Sequence, residues 1–315
     1  MRIGWIGFHA DGVVALGALL EQGAPIVGVV TLTPETAARR SGAVDYGPLC
    51  RRHRVPLFEV DDINSEQGHD VLRRLDLDLA FVISWTQLVG PAARSLVRGG
   101  MIGAHASLLP HNRGRAPINW ALIHGERLTG NTLFWLEDAA GVGDVIDQTP
   151  IPIRRYDTCA TLYDKVADAT RDMILRALPG LLEGERPGTP QPVSVAPPLR
   201  RRRREDGRID FSRDSGEVYD FVRALTRPYP GAFSSLEGAR WTVWHCAHLA
   251  IDVARGTPGE VIGPMASPVG GACGQIVRCG RGAVVLLELE GAQGSILRGR
   301  ELSDRDWKGR RWSHD

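Results

Sequence analysis

The first hundred residues alternate short apolar runs with amphipathic stretches, and no other feature of this 315-residue chain limits its fold so tightly. Arg2–Phe8 reads as a buried strand. Asp11–Gln22 reads as a helix with Val13, Val14, Leu16, Leu19 and Leu20 as its apolar positions. Ile26–Thr31, Val55–Phe58, Leu79–Ile83 and Met101–His105 have the character of further strands, with helical spacing between them at Tyr46–His53, Ser65–Leu75 and Pro91–Val97. Strands that alternate with helices pair in parallel, because each crossover needs a helix to return the chain and cover the sheet. The expected class is therefore α/β, a doubly wound, Rossmann-like, mostly parallel sheet.

Pro117–His124 opens with proline at a first helical turn, and two extended stretches follow at Asn131–Leu136 and Val145–Ile153. Asp157–Leu182 is the longest helical signal, with Asp157 or Thr158 as its N-cap. The texture then changes. Arg186–Leu199 holds five prolines and Arg200–Arg204 is an unbroken basic run, the composition of an extended, solvated linker. Beyond it come a helix near Glu217–Leu225, a turn at Arg227–Gly231, and short strands near Arg240–Cys246, Gly259–Ile262, Gly274–Cys279 and Ala283–Glu290, the pattern of a small β-barrel. The expected organisation is an α/β domain over 1–185, a Pro/Arg-rich linker over 186–204, and a small β-rich, OB-like domain over 205–315.

Composition excludes some classes of protein. No apolar run approaches the ~18 residues of a membrane span. The N-terminus has no signal-peptide core, and five scattered cysteines argue for a reducing cytoplasm. Lys+Arg 38 against Asp+Glu 37 excludes a polybasic chain. His245-Cys246-x-His248 and Cys273-x5-Cys279 form no recognised zinc arrangement, so no metal is expected.

Chemistry concentrates in two clusters. His105-Ala-Ser107-Leu-Leu-Pro110-His-Asn112-Arg113-Gly114-Arg115-Ala-Pro117 directly follows a strand of the parallel sheet, and ligands in such sheets bind beyond the carboxyl ends of strands. Histidine carries a proton near neutral pH, although a strand-end histidine can equally be a satisfied core residue. Glu137-Asp138-Ala-Ala-Gly141-Val-Gly143-Asp144 is an acidic glycine loop, able to orient His105 or to serve as a plain hairpin turn.

Together these segments resemble the folate-dependent formyltransferases, a family that includes methionyl-tRNA, aminosugar and hydroxyornithine formyltransferases. Arg113-Gly-Arg-Ala-Pro-Ile-Asn-Trp120 is especially similar to the aminosugar branch. Asp206–Phe211 and Arg223–Phe233 resemble the start of the family's C-terminal domain. The resemblance implies transfer of formyl from N10-formyltetrahydrofolate to a primary amine or hydroxylamine-type nitrogen through a tetrahedral intermediate. It implies catalytic roles for His105 and Asp144, with Asp144 holding and polarising His105 or a water. The donor pocket is expected beside the loop Ser84-Trp85-Thr86-Gln87-Leu88-Val89, with Trp85, Gln87, Leu88, Gly103 and Asp138 as its contacts. Ser107, Arg113 and Arg115 are the expected acceptor contacts.

The chain departs from that pattern at two places. Gly103 stands where the family has an asparagine, so a carboxamide donor to the formyl oxygen is missing. A backbone N–H beside Gly103, the His105 imidazolium, or Asn112 is a candidate replacement. Gly141-Val-Gly-Asp144 stands where relatives often show Asp-Thr-Gly-Asp. As to the acceptor, residues 200–315 hold 19 basic against 15 acidic residues, and Arg200–Arg204 supply the excess. That charge favours a small-molecule amine, either a nucleotide-linked aminosugar or an N-hydroxyornithine, over tRNA. A catalytically silent folate- or nucleotide-binding relative is the other alternative.

Overall fold

The structure, a computed structural model, describes residues 1–137, 141–192, 197–249, 256–266 and 273–313. It divides into two compact units. The first comprises Met1–Pro117, Leu128–Pro152 and Leu162–Arg200; the second comprises Ile118–Arg127, Ile153–Thr161 and Arg201–Asp315.

In chain order the first part of the protein gives β1 (Ile3–Ile6), α1 (Ala10–Glu21), β2 (Ile26–Leu32), α2 (Pro34–Ala37), α3 (Gly47–His53), β3 (Leu57–Val60), α4 (Glu66–Leu75), β4 (Leu79–Val82), α5 (Pro91–Arg94), β5 (Met101–His105), α6 (Pro117–Ile123), β6 (Leu128–Trp135), β7 (Val145–Pro152) and α7 (Cys159–Leu182). The seven strands form one sheet in the order β3-β2-β1-β4-β5-β6-β7. β1 to β5 pair in parallel, whereas β6 and β7 run antiparallel. The expected doubly wound, mostly parallel sheet is thus present. Its strands are apolar on both faces because both are covered. Ile3, Trp5, Phe81 and Ile102 join α1 and α7 in one core, while Ile6, Val82 and Met101 join α4 and α5 in the other. Glycine sets how close the covering layer comes: a β-carbon at Gly28 would run into Leu75 at the end of α4, and one at Gly4 into Leu77 just beyond it.

Residues 186–192 and 197–199 are mostly exposed, as their composition suggests, but they are tied to the rest of the chain by backbone hydrogen bonds. Thr189 pairs with Val145 through two 2.8 Å backbone hydrogen bonds, and Leu199 pairs beside Gly114, so both described ends of the stretch are held within the first unit. Proline removes donors from a chain but leaves carbonyls and neighbouring amides free to bond.

The second unit contains α8 (Ser215–Leu225), β8 (Ala232–Leu236), β9 (Ala239–Leu249), β10 (Val261–Ala266), β11 (Cys273–Arg278), β12 (Ala283–Gly291), β13 (Ile296–Arg298), α9 (Arg300–Ser303) and β14 (Trp312–Ser313). Its antiparallel sheet runs β10-β11-β12-β9-β8-β14, with β13 on β12. The sheet curls until its ends meet: Trp312 N–H donates to Gly259 O at 2.9 Å and Val261 N–H to Arg310 O at 2.8 Å, while β14 also pairs with β8. Joining the ends covers backbone groups that an open edge would leave unpaired. The basic run is partly folded in as well. The Arg202 guanidinium lies 5.0 Å from the Trp120 ring and 5.6 Å from that of Phe221, and it donates to Asp206 O. No helix among the described residues is long and apolar enough to cross a membrane.

Gly259 stands at the closure with φ +88, and a β-carbon there would lie 2.6 Å from Trp312 O; Gly294 has φ +79 but open space around it. Gly294→Ala should therefore cost about 1 kcal/mol from backbone conformation alone. Gly259→Ala should cost at least about 1 kcal/mol more, because the closing strand must shift. Urea unfolding of the two variants checks the difference.

Candidate active site

The strand order reverses between β1 and β4, so the crevice beyond their carboxyl ends is where this topology admits a ligand. β5, next to β4, ends on His105. Register then determines the surroundings of His105, since it stands opposite Thr132 on β6, and Thr132 stands opposite Gln148 on β7. The Thr132 hydroxyl donates to Ser107 O at 2.6 Å and accepts from Leu109 N–H at 3.0 Å and Gln148 Nε2 at 2.9 Å. Gln148 Nε2 also donates to Leu109 O at 2.8 Å. This buried polar group folds the chain after β5 back over the strand end. Ser107 is 1% exposed and its hydroxyl donates to His111 O at 2.6 Å, so it serves the turn.

His105 Nε2 lies 3.1 Å from the backbone oxygen of Asn112. A carbonyl only accepts, so Nε2 carries the proton and Nδ1 presents its lone pair. Nδ1 has no hydrogen-bond partner among the described residues. Burial pushes the imidazole below its ordinary value, while the bond to Asn112 O pulls the other way. The ring is therefore neutral at physiological pH, a proton acceptor rather than the cationic donor that the imidazolium alternative requires. Asn112 has φ 52, a left-handed conformation that asparagine tolerates better than most residues. Its carbonyl, not its carboxamide, meets His105.

The expected pairing of Asp144 with His105 is not formed. Trp135 N–H bonds to Asp144 O, and Trp135 and Asp144 share the neighbour Gly188. Strand alternation puts Trp135 on the face opposite Thr132 and His105. The Asp144 side chain is exposed and stands on the Trp135 side. Gly141, at the first acid position of the relatives' Asp-Thr-Gly-Asp, is the residue that approaches the His105 loop. A β-carbon there would lie 3.7 Å from Arg113 Cγ and 3.9 Å from Leu109 Cδ2. Asp138 lies outside the described residues. The Gly103 position is filled from another direction, since a β-carbon would lie 2.6 Å from Leu136 Cδ2. Leu136 takes the space a larger residue would need.

In the loop after β4, Trp85 is half-buried and edge-on to Phe8, ring centroids 6.2 Å apart, and its indole N–H is buried without an acceptor among the described residues. Gln87 turns inward: Oε1 accepts from Ile63 N–H at 3.0 Å and Nε2 donates to Asp61 O at 2.6 Å, so both ends of its amide brace the neighbouring loop. Leu88 is 66% exposed. Arg113 lies half-buried against Gly141, and Arg115 is exposed. No group of acidic, histidine or cysteine residues suited to a metal ion occurs among the described residues.

Residues 16–178 match the family model for formyl transferase, and residues 202–305 match that for the formyl transferase C-terminal domain. The chain belongs to the formyl transferase family. Among solved structures it is similar to HypX from Aquifex aeolicus in complex with tetrahydrofolic acid, at 19% identity and TM-score 0.63 over 95% of this chain and 46% of that one. The chain thus spans about half the length of HypX. It is also similar to WlaRD, a sugar 3N-formyl transferase solved with dTDP and 5-N-formyl-THF, at 14% identity and TM-score 0.64 over 90% of this chain and 96% of that one. A third is phosphoribosylglycinamide formyltransferase from Bacillus halodurans, at 22% identity and TM-score 0.50 over 58% and 95% of the two chains. At these identities the likeness shows the fold.

Sequence reasoning missed Thr132, Gln148 and Leu136. Their only signal is the pairing of β5, β6 and β7, which a linear pattern of apolar residues does not specify. Thr132→Val removes a buried hydroxyl and leaves Leu109 N–H without its acceptor, so it should destabilise the protein by about 2 kcal/mol. A shift of the denaturant midpoint at constant slope checks it.

Proposed function

We propose that this formyl transferase family member moves formyl from N10-formyltetrahydrofolate to a small-molecule amine, a nucleotide-linked aminosugar or an N-hydroxyornithine-type acceptor. The observation that carries the reading is His105 at the carboxyl end of β5 with its Nε2 on Asn112 O, which leaves Nδ1 as the nitrogen with the lone pair. The donor supplies an activated formyl carbon. The amine bonds to that carbon and must lose a proton, which Nδ1 of His105 has the lone pair to take; the bond from that carbon to N10 then breaks, and the proton returned to N10 releases tetrahydrofolate. The indole N–H of Trp85, which finds no acceptor among the described residues, suits an acceptor group on a folate in the adjoining crevice. HypX with tetrahydrofolic acid and WlaRD with 5-N-formyl-THF support that donor, and the dTDP with WlaRD supports a nucleotide-linked acceptor. With Arg202 engaged by Trp120 and Phe221, less of the basic run is free for phosphates, which weighs against tRNA.

One observation favours a second reading, a relative that binds its ligands without transferring formyl. Leu136 occupies the place of a side chain at position 103, so no carboxamide can donate there. Loss of one such donor costs about 10²–10³ in rate. Release of tetrahydrofolate measured across a panel of amines, with donor binding followed by calorimetry, separates the two. Turnover with an aminosugar nucleotide or hydroxyornithine is expected. Donor binding with no turnover on any amine would establish the silent reading instead.

Because His105 acts as the base and its pKa is lowered, its active neutral form persists as pH falls through the ordinary histidine range. The acidic limb of kcat/KM should have its midpoint below about 6.5 and vanish in His105→Ala. A limb centred above that value would remove His105 as the base. Asp144, on the opposite face, is given no proton-transfer step, so Asp144→Asn should keep kcat/KM within about threefold of wild type. A loss approaching 10²-fold would return this residue to the chemistry.

A further inference from the structure

The segment after α7 touches both loops of the candidate site. Arg186 sits over Trp135, its guanidinium carbon 4.0 Å from the ring centroid, and donates to Gly99 O at 2.7 Å. Trp135 Nε1 donates in turn to Pro187 O at 2.7 Å. Thr189 exchanges backbone hydrogen bonds with Val145, and Gln191 Nε2 donates to Gly143 O at 2.7 Å. This end of the segment thus grips the 141–145 loop. At its other end Leu199 N–H donates to Arg113 O at 2.6 Å and Leu199 O accepts from Arg115 N–H at 3.0 Å. Gly114 lies between those two residues at φ +114, where any β-carbon would run into the Leu199 backbone. Arg113 directly follows Asn112, whose oxygen fixes the proton on His105.

We propose that residues 186–192 and 197–199 act as a strap that positions the reacting site, and that Gln191 on the strap and Gly114 on the loop it holds are the two positioning residues. The strap transmits order by short links: Leu199 holds the backbone around Gly114, that backbone holds Asn112 O, and Asn112 O holds the tautomer of His105. Gln191 does the same for the turn at Gly143. Neither residue needs to touch substrate, because displacement of a reacting group by about 1 Å can cost as much as 10²-fold in rate. The proposal rests on the reading that His105 is the base.

The test uses the full chain as wild type, Gln191→Glu, Gly114→Ala and the surface control Arg73→Ala, whose ion pairs on α4 are exposed. Gln191→Glu keeps the shape but removes the donor to Gly143 O. Amide hydrogen exchange should speed at least about tenfold in residues 141–145 of Gln191→Glu and in residues 107–115 of Gly114→Ala, and should not change in Arg73→Ala. Nitrogen-15 NMR of the His105 ring should show a single Nε2–H tautomer in wild type and a mixture in Gly114→Ala. In turnover, kcat should fall about tenfold in both strap variants with KM for the donor within about twofold. If Gly114→Ala fails to fold, Gln191→Glu alone decides through exchange at 141–145 and kcat. Unchanged exchange at both loops, or faster exchange with kcat intact, overturns the strap. If wild type turns over no amine, the transfer reading fails separately. Loop exchange and the His105 tautomer then decide the strap, which stands if both move and falls if either does not.

Discussion

The pairing of His105 with Thr132 across β5 and β6 is the constraint on which the rest of the site depends. Side chains alternate along a strand, so that one register places Thr132 and Gln148 on the face of His105 and sends Trp135 to the other. From it follow the hydroxyl that folds Ser107–Leu109 back over the strand end, the arrival of Asn112 O at the imidazole, and the loss of Asp144 to the far side. A shift by one residue would exchange those two sets completely.

The site that results works without a buried charge. A histidinium there would have to be stripped of water with no carboxylate beside it among the described residues, and burial holds the ring toward its neutral form. The carbonyl of Asn112 costs nothing in charge, yet it chooses which nitrogen holds the proton. Leu136 in the place of a polar side chain at position 103 extends the same trend, since it replaces a group that would need hydrogen bonds by one that needs only contact. In the transfer reading proposed for it, such a site depends more on placement than on electrostatic donors. That is why the backbone links from Leu199 and Gln191 matter.

The second unit solves a different problem. Its short strands would leave two open edges, and the chain brings Gly259–Val261 to Arg310–Trp312 so that the edges bond to each other. Trp307, Trp312 and Phe211 are buried there with half-buried Trp241 beside them, neighbouring rings 5.6 to 6.4 Å apart. Arg202 rests on Trp120 and Phe221, which gives part of the basic run a packing role rather than a phosphate-binding one.

The amino-acid sequence alone determined the class of sheet, nearly every strand and long helix of the first unit, and the position of His105 at a strand end. Those features are local: apolar periodicity and helix caps act over a few residues. It also carried the family resemblance, because that likeness is itself a linear pattern. The short strands Ala232–Leu236 and Trp312–Ser313 escaped notice because too few residues alternate to give a signal. Only the tertiary structure decided that Asp144 and His105 stand apart, that Gln87 is a brace, that Leu136 fills the space beside Gly103, and that Thr189, Gln191 and Leu199 bond to the loops around Gly143 and Gly114. Each of these depends on which residues far apart in the chain come to lie opposite one another, and strand register and backbone pairing leave no mark in composition.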